Sequence, residues 1–306
     1  MAAAKVAIST AGDHHLLVRL GAGASLELNF FVLSFVNAVR SSGVVGVTDL
    51  IPSYNSVLIQ YDYARISYHD LCRELRSVAE AVPDVGEIEI ESRLIYLPVC
   101  YLDPWTRACI DDYRAKITER RYDPEFVASI NGLSGAEALV DLHSSTEHWV
   151  VTVSSFPGLP ILRPLDPRST ITSPKYNPPR LWTPVGAIGV GGTSTSIYTI
   201  PSPGGYNLIG RTPVPVWDPM QRLSAFANGS ILLRPTDRLK FVPISVSEFD
   251  SIQSTVSEGR YQHNVVDYQR FSVALYRRWT ASLDARCTSA SRGSGADRRD
   301  SCLHPK

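Results

Sequence analysis

Charge of one sign is missing from this chain: 30 Lys and Arg stand against 30 Asp and Glu, a formal net charge of zero over 306 residues. Without a surplus there is no global field to gather phosphate backbones or anionic lipid, so nucleic acid and membrane surfaces are not expected partners. Cysteine is sparse. The five, Cys72, Cys100, Cys109, Cys287 and Cys302, are odd in number, scattered, and never spaced as a metal knuckle or redox pair, the pattern of reduced thiols in a cytoplasmic protein. Long apolar runs are also lacking. The most apolar stretch, Leu28 to Val39, is broken by Asn29, Ser34 and Asn37 and falls short of the ~20 residues a bilayer span needs. Met1 to Lys5 lead into a strand pattern without the basic and apolar regions of a secretory signal, so secretion is not expected. No Gly-x-Ser-x-Gly, Cys-x-x-Cys or His-Glu-x-x-His is present, which removes support for a hydrolase triad or zinc catalysis, and no metal site is expected.

What is present first is periodicity. His15 to Leu20 reads as a strand, and Leu28, Phe31, Val32, Phe35, Val36 and Val39 recur at helical spacing until Gly43 and Gly46. Strands follow at Val47 to Pro52 and Ser56 to Tyr61, then a helix with its apolar stripe on Tyr68, Leu71, Cys72, Leu75, Val78, Ala79 and Val82. Arg93 to Val99 reads as a closing strand, giving a βαββαβ order for residues 1–97.

Beyond Pro98 the texture changes. A polar helical stretch from Asp111 to Arg121 precedes Ser134-Gly-Ala-Glu137, a capping-box pattern opening a helix to His143. Thirteen of the 21 prolines lie between Pro157 and Pro219, which excludes long helices there and predicts a β-barrel or sandwich. Its strands are expected at Trp149 to Val153, Ala187 to Val190, Ser196 to Ile200, Tyr206 to Gly210, Val214 to Trp217 and Arg238 to Ile244, with a last helix from Ser247. The class is therefore α+β, with a second domain over 98–282. Residues 283–306, rich in Ser, Arg, Asp and Gly, read as a disordered tail.

The glycines carry the strongest functional signal: Gly186-Ala-Ile-Gly189-Val-Gly191-Gly192, then Gly204-Gly205-Tyr206-Asn-Leu-Ile-Gly210-Arg211-Thr212. A Gly-Gly pair followed by an arginine lets backbone N–H groups and a guanidinium converge on a carboxylate or phosphate. The same glycines would also serve as tight corners between short strands. Neither a Gly-Lys-Ser/Thr ending nor a following helix supports a Walker or dinucleotide loop. Pro174-Lys175-Tyr176-Asn177-Pro178-Pro179-Arg180 presents two cations on a stretch stiffened by proline, and reads either as an anion-binding edge or as a solvated loop. His143 and His148 flank Glu147, but Ser144-Ser145-Thr146 is a natural helix end, so a capping or hydrogen-bonded core histidine outweighs a metal ligand. The candidate binding residues are Lys175, Tyr176, Asn177, Arg180, Gly204, Gly205, Tyr206, Arg211 and Thr212, with His143 and Tyr198 as further possibilities; no catalytic residue is assigned.

An ordered string of segments resembles the carboxyltransferase-domain family, which includes allophanate hydrolase subunit 1, the KipI-type inhibitors, the 5-oxoprolinase component PxpB and the carboxyltransferase region of urea carboxylase. The early segments are Gly12-Asp13, Ile51-Pro52-Ser53-Tyr54 and Leu97-Pro98-Val99-Cys100-Tyr101. The denser ones are Pro164-Leu165-Asp166-Pro167-Arg168, Lys175-Tyr176-Asn177-Pro178, Trp182-Thr183, Gly191-Gly192, Pro203-Gly204-Gly205-Tyr206 and Gly210-Arg211-Thr212, and these are most similar to the urea carboxylase branch. The resemblance implies a ferredoxin-like subdomain, a cyclophilin-like β-barrel, and half of a composite site completed by a second carboxyltransferase half akin to allophanate hydrolase subunit 2. A biotin carboxylase and a biotin carrier are implied in the urea branch. The chain has only Met1 and Met220, hence no Met-Lys-Met-like hairpin for covalent biotin, and no room for a carboxylase ATP-binding domain, so ATP and carboxybiotin are expected through partners. A 5-oxoprolinase subunit and a non-catalytic KipI-like binding protein are the other readings. The chain departs from the family's patterns at Ser154-Ser155-Phe156-Pro157-Gly158-Leu159, at Thr236-Asp237 where relatives have Gly-Asp, and in the Gly191-Gly192-Thr193-Ser194-Thr195 loop, which lacks a glutamine.

Overall fold

The computed structural model describes residues 6–291, with side chains to Leu283. The chain is mixed α/β and divides into two units, residues 1–91 with 270–306 and residues 92–269. The division falls near the 97/98 boundary read from periodicity, but the segment from Arg270 onward belongs with the first unit rather than the second.

In the first unit, β1 (Ala7–Thr10), β2 (His15–Arg19), β3 (Val47–Pro52) and β4 (Ser56–Tyr61) make an antiparallel sheet in the order β1-β2-β4-β3. Helices α1 (Leu26–Ser42) and α2 (Tyr68–Ala81) bury their apolar stripes, Val32, Phe35, Val36 and Val39 with Leu71 and Leu75, in one core with Leu16, Val18, Val57 and Ile59 of the sheet. The ends follow local chemistry. Ser25 and Ser67 accept from backbone N–H groups at the two N-caps, and Gly43 ends α1 in the left-handed region at φ 59.

The strand expected to close this sheet does not. It is part of β5 (Glu89–Tyr101), which pairs with strands of the larger sheet, and β1 supplies the fourth strand here instead. The reason lies in its composition: Leu94 to Cys100 is almost continuously apolar and mostly buried, so it needs cover on both faces and suits the interior of a large sheet, not the edge of a small one.

The second unit opens with helices α3 (Pro104–Lys116), α4 (Asp123–Ile130) and α5 (Ala136–Ser145). The α3 helix begins earlier than its polar residues suggest, because Asp103 caps it and Pro104 occupies the first turn. The capping box expected at Ser134 is absent, since α5 starts after Gly135 with no side-chain cap. The strands are β6 (Glu147–Val153), β7 (Pro160–Pro164), β8 (Ala187–Gly191), β9 (Ser194–Ile197), β10 (Asn207–Arg211) and β11 (Arg238–Pro243). Their order is β10-β8-β9-β7-β6-β11-β5, and β10 pairs back onto β5, Gly210 opposite Tyr101 and Arg211 opposite Cys100, so seven strands close into a ring. Gly210 permits that closure: a Cβ there would lie 2.9 Å from the Cys100 carbonyl oxygen. The core inside includes Ile95, Leu97, Val150, Leu162, Ile188, Ile209, Leu239 and Phe241.

Helix α6 (Val246–Ser257) carries the capping box, with Ser245 and Glu248 bonded reciprocally. It is not the last helix. Strand β12 (Asn264–Ser272) and helix α7 (Val273–Ser291) follow, so the part of the expected tail at 283–291 is helical, and residues 292–306 lie outside the described residues. Val214 to Trp217, expected as a strand, is irregular apart from a single bridge between Trp217 and Ile231. Two alternating prolines, Pro213 and Pro215, remove the donors a ladder there would need. Among the described residues no helix is long and apolar enough to cross a membrane.

Candidate functional site

The Pro174 to Arg180 stretch and the Gly204-Gly205 pair, distant in sequence, meet. Backbone bonds join Tyr176 N–H to the Gly205 carbonyl (2.6 Å) and Arg180 N–H to the Gly204 carbonyl (2.9 Å), the latter returned by Gly204 N–H to the Arg180 carbonyl (3.1 Å). The Arg180 guanidinium then turns inward and is 1% exposed. Its Nη1 donates to the Tyr206 carbonyl at 2.5 Å, and its Nη2 to Thr183 Oγ1 at 3.3 Å and Tyr198 Oη at 3.5 Å. Gly204 is required by this arrangement, because a Cβ would sit 2.5 Å from Tyr198 Oη and 2.8 Å from Arg180 Nη2. Gly205 has no such constraint, its nearest neighbour being 3.5 Å away.

Tyr176 is buried between two guanidiniums, with Arg120 Cζ 3.5 Å and Arg180 Cζ 4.5 Å from its ring centre. Its hydroxyl donates to Asp123 Oδ1 at 2.5 Å, while Asp123 Oδ2 accepts from Leu208 N–H at 2.8 Å and Arg120 lies 3.2 Å from Oδ1. Burial raises both the Asp123 carboxyl and the Tyr176 phenol above their usual ranges, the bonds to Tyr176 and the arginines opposing it at Asp123. Arg120 also donates to Asn207 Oδ1 at 2.8 Å, and Asn207 Nδ2 holds Ser173 Oγ and the Pro174 carbonyl at 2.7 and 2.8 Å. This network fixes the proline-rich stretch from below. On its outside Lys175 is exposed, its Nζ 5.2 Å from the Tyr206 ring centre, and Asn177 faces solvent. Gly189 and Gly191 seat the Tyr206 side chain, since a Cβ on either would come within 2.8 Å of it.

Arg211 does not join Gly204 and Gly205 in one anion cradle. It stands at the C-terminal end of β10, donates through Nε to the Val185 carbonyl at 2.8 Å, and lies 5.3 Å from the ring centres of both Trp105 and Phe249. Its terminal nitrogens bond to nothing among the described residues, and burial lowers its pKa while Asp103 acts to raise it. Arg211 lines a cleft of about 150 Å³ where β9 and β10 end and β8 begins, with Gly186, Tyr198, Thr212, Trp217 and Gln253 among the other walls. Gly186 is at φ 81, and a Cβ there would lie 2.4 Å from the Thr212 carbonyl oxygen, so this close approach of backbone requires glycine. Thr212 itself is turned inward, its hydroxyl accepting from Val214 N–H at 3.3 Å. Tyr198 is the residue common to both places, bonded to Arg180 on one side and lining the Arg211 cleft on the other.

His143 is a core histidine. Its Nδ1 meets Tyr101 Oη at 2.8 Å and its Nε2 meets Thr195 Oγ1 at 3.0 Å, its ring stacks on Phe241, and burial pushes its pKa down to about 3. No group of His, Cys, Asp and Glu among the described residues is arranged to hold a metal ion. Sequence reasoning misses Asp123, Arg120, Asn207 and the Trp105–Phe249 pair around Arg211. Only Asp123 carries a signal, as an acidic residue before Pro124 at a helix start.

Fold and geometry together define an α/β module in which a closed seven-strand ring bears a half-buried arginine at one mouth, next to a rigid glycine and proline edge. The chain belongs to the carboxyltransferase domain family, subdomains C and D, whose family model matches residues 6–227. It is 30% identical over 280 residues to the urea amidolyase of Saccharomyces cerevisiae, a match covering 90% of this chain and 15% of that protein. It is also 30% identical over 251 residues to a 5-oxoprolinase subunit of Bacillus subtilis, covering 79% of this chain and 94% of the relative. Among solved structures, the Kluyveromyces lactis urea amidolyase superposes at a TM-score of 0.84 with 26% identity, over 98% of this chain and 18% of that one. The chain thus spans less than a fifth of the urea amidolyases it matches.

Proposed function

We propose that this chain supplies one half of a composite carboxyltransferase site in an ATP-dependent urea carboxylase or allophanate hydrolase type of system. The observation that carries the reading is the match to urea amidolyase, over 90% of the chain in sequence against 79% for the 5-oxoprolinase relative, and over 98% in structure, which includes β12 and α7. We read the closed ring as the cyclophilin-like barrel that the resemblance implies, and the four-stranded sheet with α1 and α2 as a ferredoxin-like subdomain in which β1 takes the place of the closing strand. In this reading ATP and carboxybiotin are held by partner components: a biotin carboxylase, a biotin carrier and a second carboxyltransferase half, all in the cytoplasm.

The division of labour follows from the geometry. The Tyr176 hydroxyl and the two terminal nitrogens of Arg180 bond inside the protein and keep the Lys175 to Arg180 edge and the Gly204 to Tyr206 turn in register, while Arg180 Nε is buried without a partner among the described residues. Arg211 faces the reactants. Its Nε is anchored, the two neighbouring rings restrict its swing, and its free terminal nitrogens fit the two oxygens of a carboxylate through parallel charge-assisted bonds. A carboxylated carrier would bring the transferable CO₂ group; this chain's part is to hold the carboxylate still and to keep water from the side covered by Trp105 and Phe249.

A role as a 5-oxoprolinase component is the second reading, favoured by the 94% coverage of the Bacillus subtilis protein. Affinity purification of the native chain with mass spectrometry separates them. A second carboxyltransferase half with a biotin carrier supports the urea type; a partner set without a carrier, giving oxoproline-dependent ATP hydrolysis, supports the other. A chain that purifies alone under mild salt contradicts both.

A further inference from the structure

We infer that the cleft beside Arg211 binds a carboxylate carried on an apolar body of several carbons, rather than a small neutral amide such as urea. The inference deepens the half-site reading, on which its place in a reaction rests, but the binding belongs to this chain alone.

The cleft sits at one mouth of the seven-strand ring, with α6 alongside through Gln253 and Val256. Beside the polar groups of Tyr198, Thr199, Thr212 and Gln253, its lining has two features that select a ligand. One part is apolar: Ile197, Val214, Val216, Trp217 and Val256, with Pro213 and Pro215 between them. The other is Arg211, whose terminal nitrogens make no bond among the described residues. Arg222 also reaches the rim, but it is exposed and paired with Asp218, so Arg211 is the cation left for a ligand. A guanidinium partly withdrawn from water needs an anion to offset its lost hydration, and carboxylate geometry matches it through two bonds. An apolar wall next to that cation rewards methylenes and rings, which a urea-sized ligand does not have. Neither feature alone would select the ligand; together they require both a carboxylate and an apolar body.

The test uses the full chain without partners and three probes, acetate, butyrate and hexanoate, at constant ionic strength, with urea as the neutral control. Binding is followed by amide shifts in NMR or by calorimetry. Affinity is expected to rise about fourfold per methylene buried until the cleft is filled, and urea is expected to cause no shift at Gly186, Tyr198 or Thr212. Arg211→Met should weaken the whole series by about tenfold or more while preserving its slope with chain length. Val256→Thr, close to isosteric but polar, should flatten the slope and leave the acetate affinity unchanged. Affinity independent of chain length, urea shifting the same amides, or an Arg211→Met series equal to wild type would each overturn the inference. A chain that binds the series yet yields an inactive assembly would remove the half-site reading and leave the cleft; a working assembly on a chain that binds no carboxylate would do the reverse.

Discussion

Thr236 adopts φ 87, a left-handed conformation that a β-branched residue reaches only under strain, and it does so where the resemblance implies a glycine. The strain is held by its neighbours: its N–H bonds the Val150 carbonyl, its carbonyl accepts from Ser92, and Asp237 next to it is buried and bonded to Arg93 through both oxygens. Thr236→Gly keeps every one of these backbone bonds and should raise unfolding free energy by about 1 kcal/mol, read from denaturant midpoints. The adjacent glycines 204 and 205 give a matched pair of opposite outcome. Gly204→Ala drives a methyl against Tyr198 and Arg180 and should cost about 1–3 kcal/mol. Gly205→Ala meets only ordinary contact and should stay within about 0.5 kcal/mol of wild type. Equal effects at the two positions would contradict the packing described. The buried histidines make a third case. His143, held neutral with its pKa pushed down to about 3, and His148, also pushed well down, would take protons in the unfolded chain near the ordinary histidine value of 6.5. The unfolded state therefore binds more protons as pH falls, and stability present above 6.5 is lost on the way toward 3. Asp103 and Asp123, whose carboxyls burial raises, act in the opposite sense, so the comparison is between variants. His143→Gln, which can still bond Tyr101 and Thr195, should show a shallower fall of Tm from about pH 6.5 to about pH 5 than wild type; an unchanged slope would mean the histidine does not set it.

At the scale of elements, the sequence announces what lies on one surface and hides what lies between surfaces. The helices α1 and α2 are legible because each buries one stripe against a sheet, and β3 and β4 because the short Ser53-Tyr54-Asn55 turn joins them. Strand β5 is visible in the pattern but its sheet is not, since a strand buried on both faces carries no alternation to say which neighbours it has. Helix α7 escapes the pattern for a different reason: much of its partnering is polar or aromatic. Arg277 pairs with Glu27 through both oxygens, and Tyr276 and Phe271 close around Phe30, so little aliphatic stripe marks it. The connection from α3 to α4 offers a check on element boundaries. Residues 117–119 and 121 are exposed, whereas Tyr122 and Asp123 are buried. After any trimming of the C-terminal tail read from 283 onward, brief trypsin treatment should cut next after Lys116 or Arg121 and spare Arg163, Arg168 and Arg180. Early cleavage at Arg180 would mean that the proline-rich edge is not held as the structure has it.

For the whole molecule, the family and the set of chemically interesting residues are readable from motif order, but their grouping is not. Spacing along the chain puts Arg211 with Gly204 and Gly205, because they look close in sequence; a five-residue strand turns that proximity into separation along β10. Conversely, Arg180 reads as a ligand-facing cation and is 1% exposed, since a loop stiffened by prolines can lay a side chain inward as easily as outward. Asp123, Arg120 and Asn207 come from separate segments and only the fold brings them under Tyr176. The central claim, a half-site that works only when completed, is tested most directly by turnover. The pure chain should hydrolyse no ATP in the presence of urea or 5-oxoproline, and adding the purified partner components should produce substrate-dependent ATP hydrolysis. In that assembly Arg211→Lys, which keeps the charge but loses the two-pronged geometry, should reduce turnover about tenfold or more. Robust turnover by the chain alone would contradict the account.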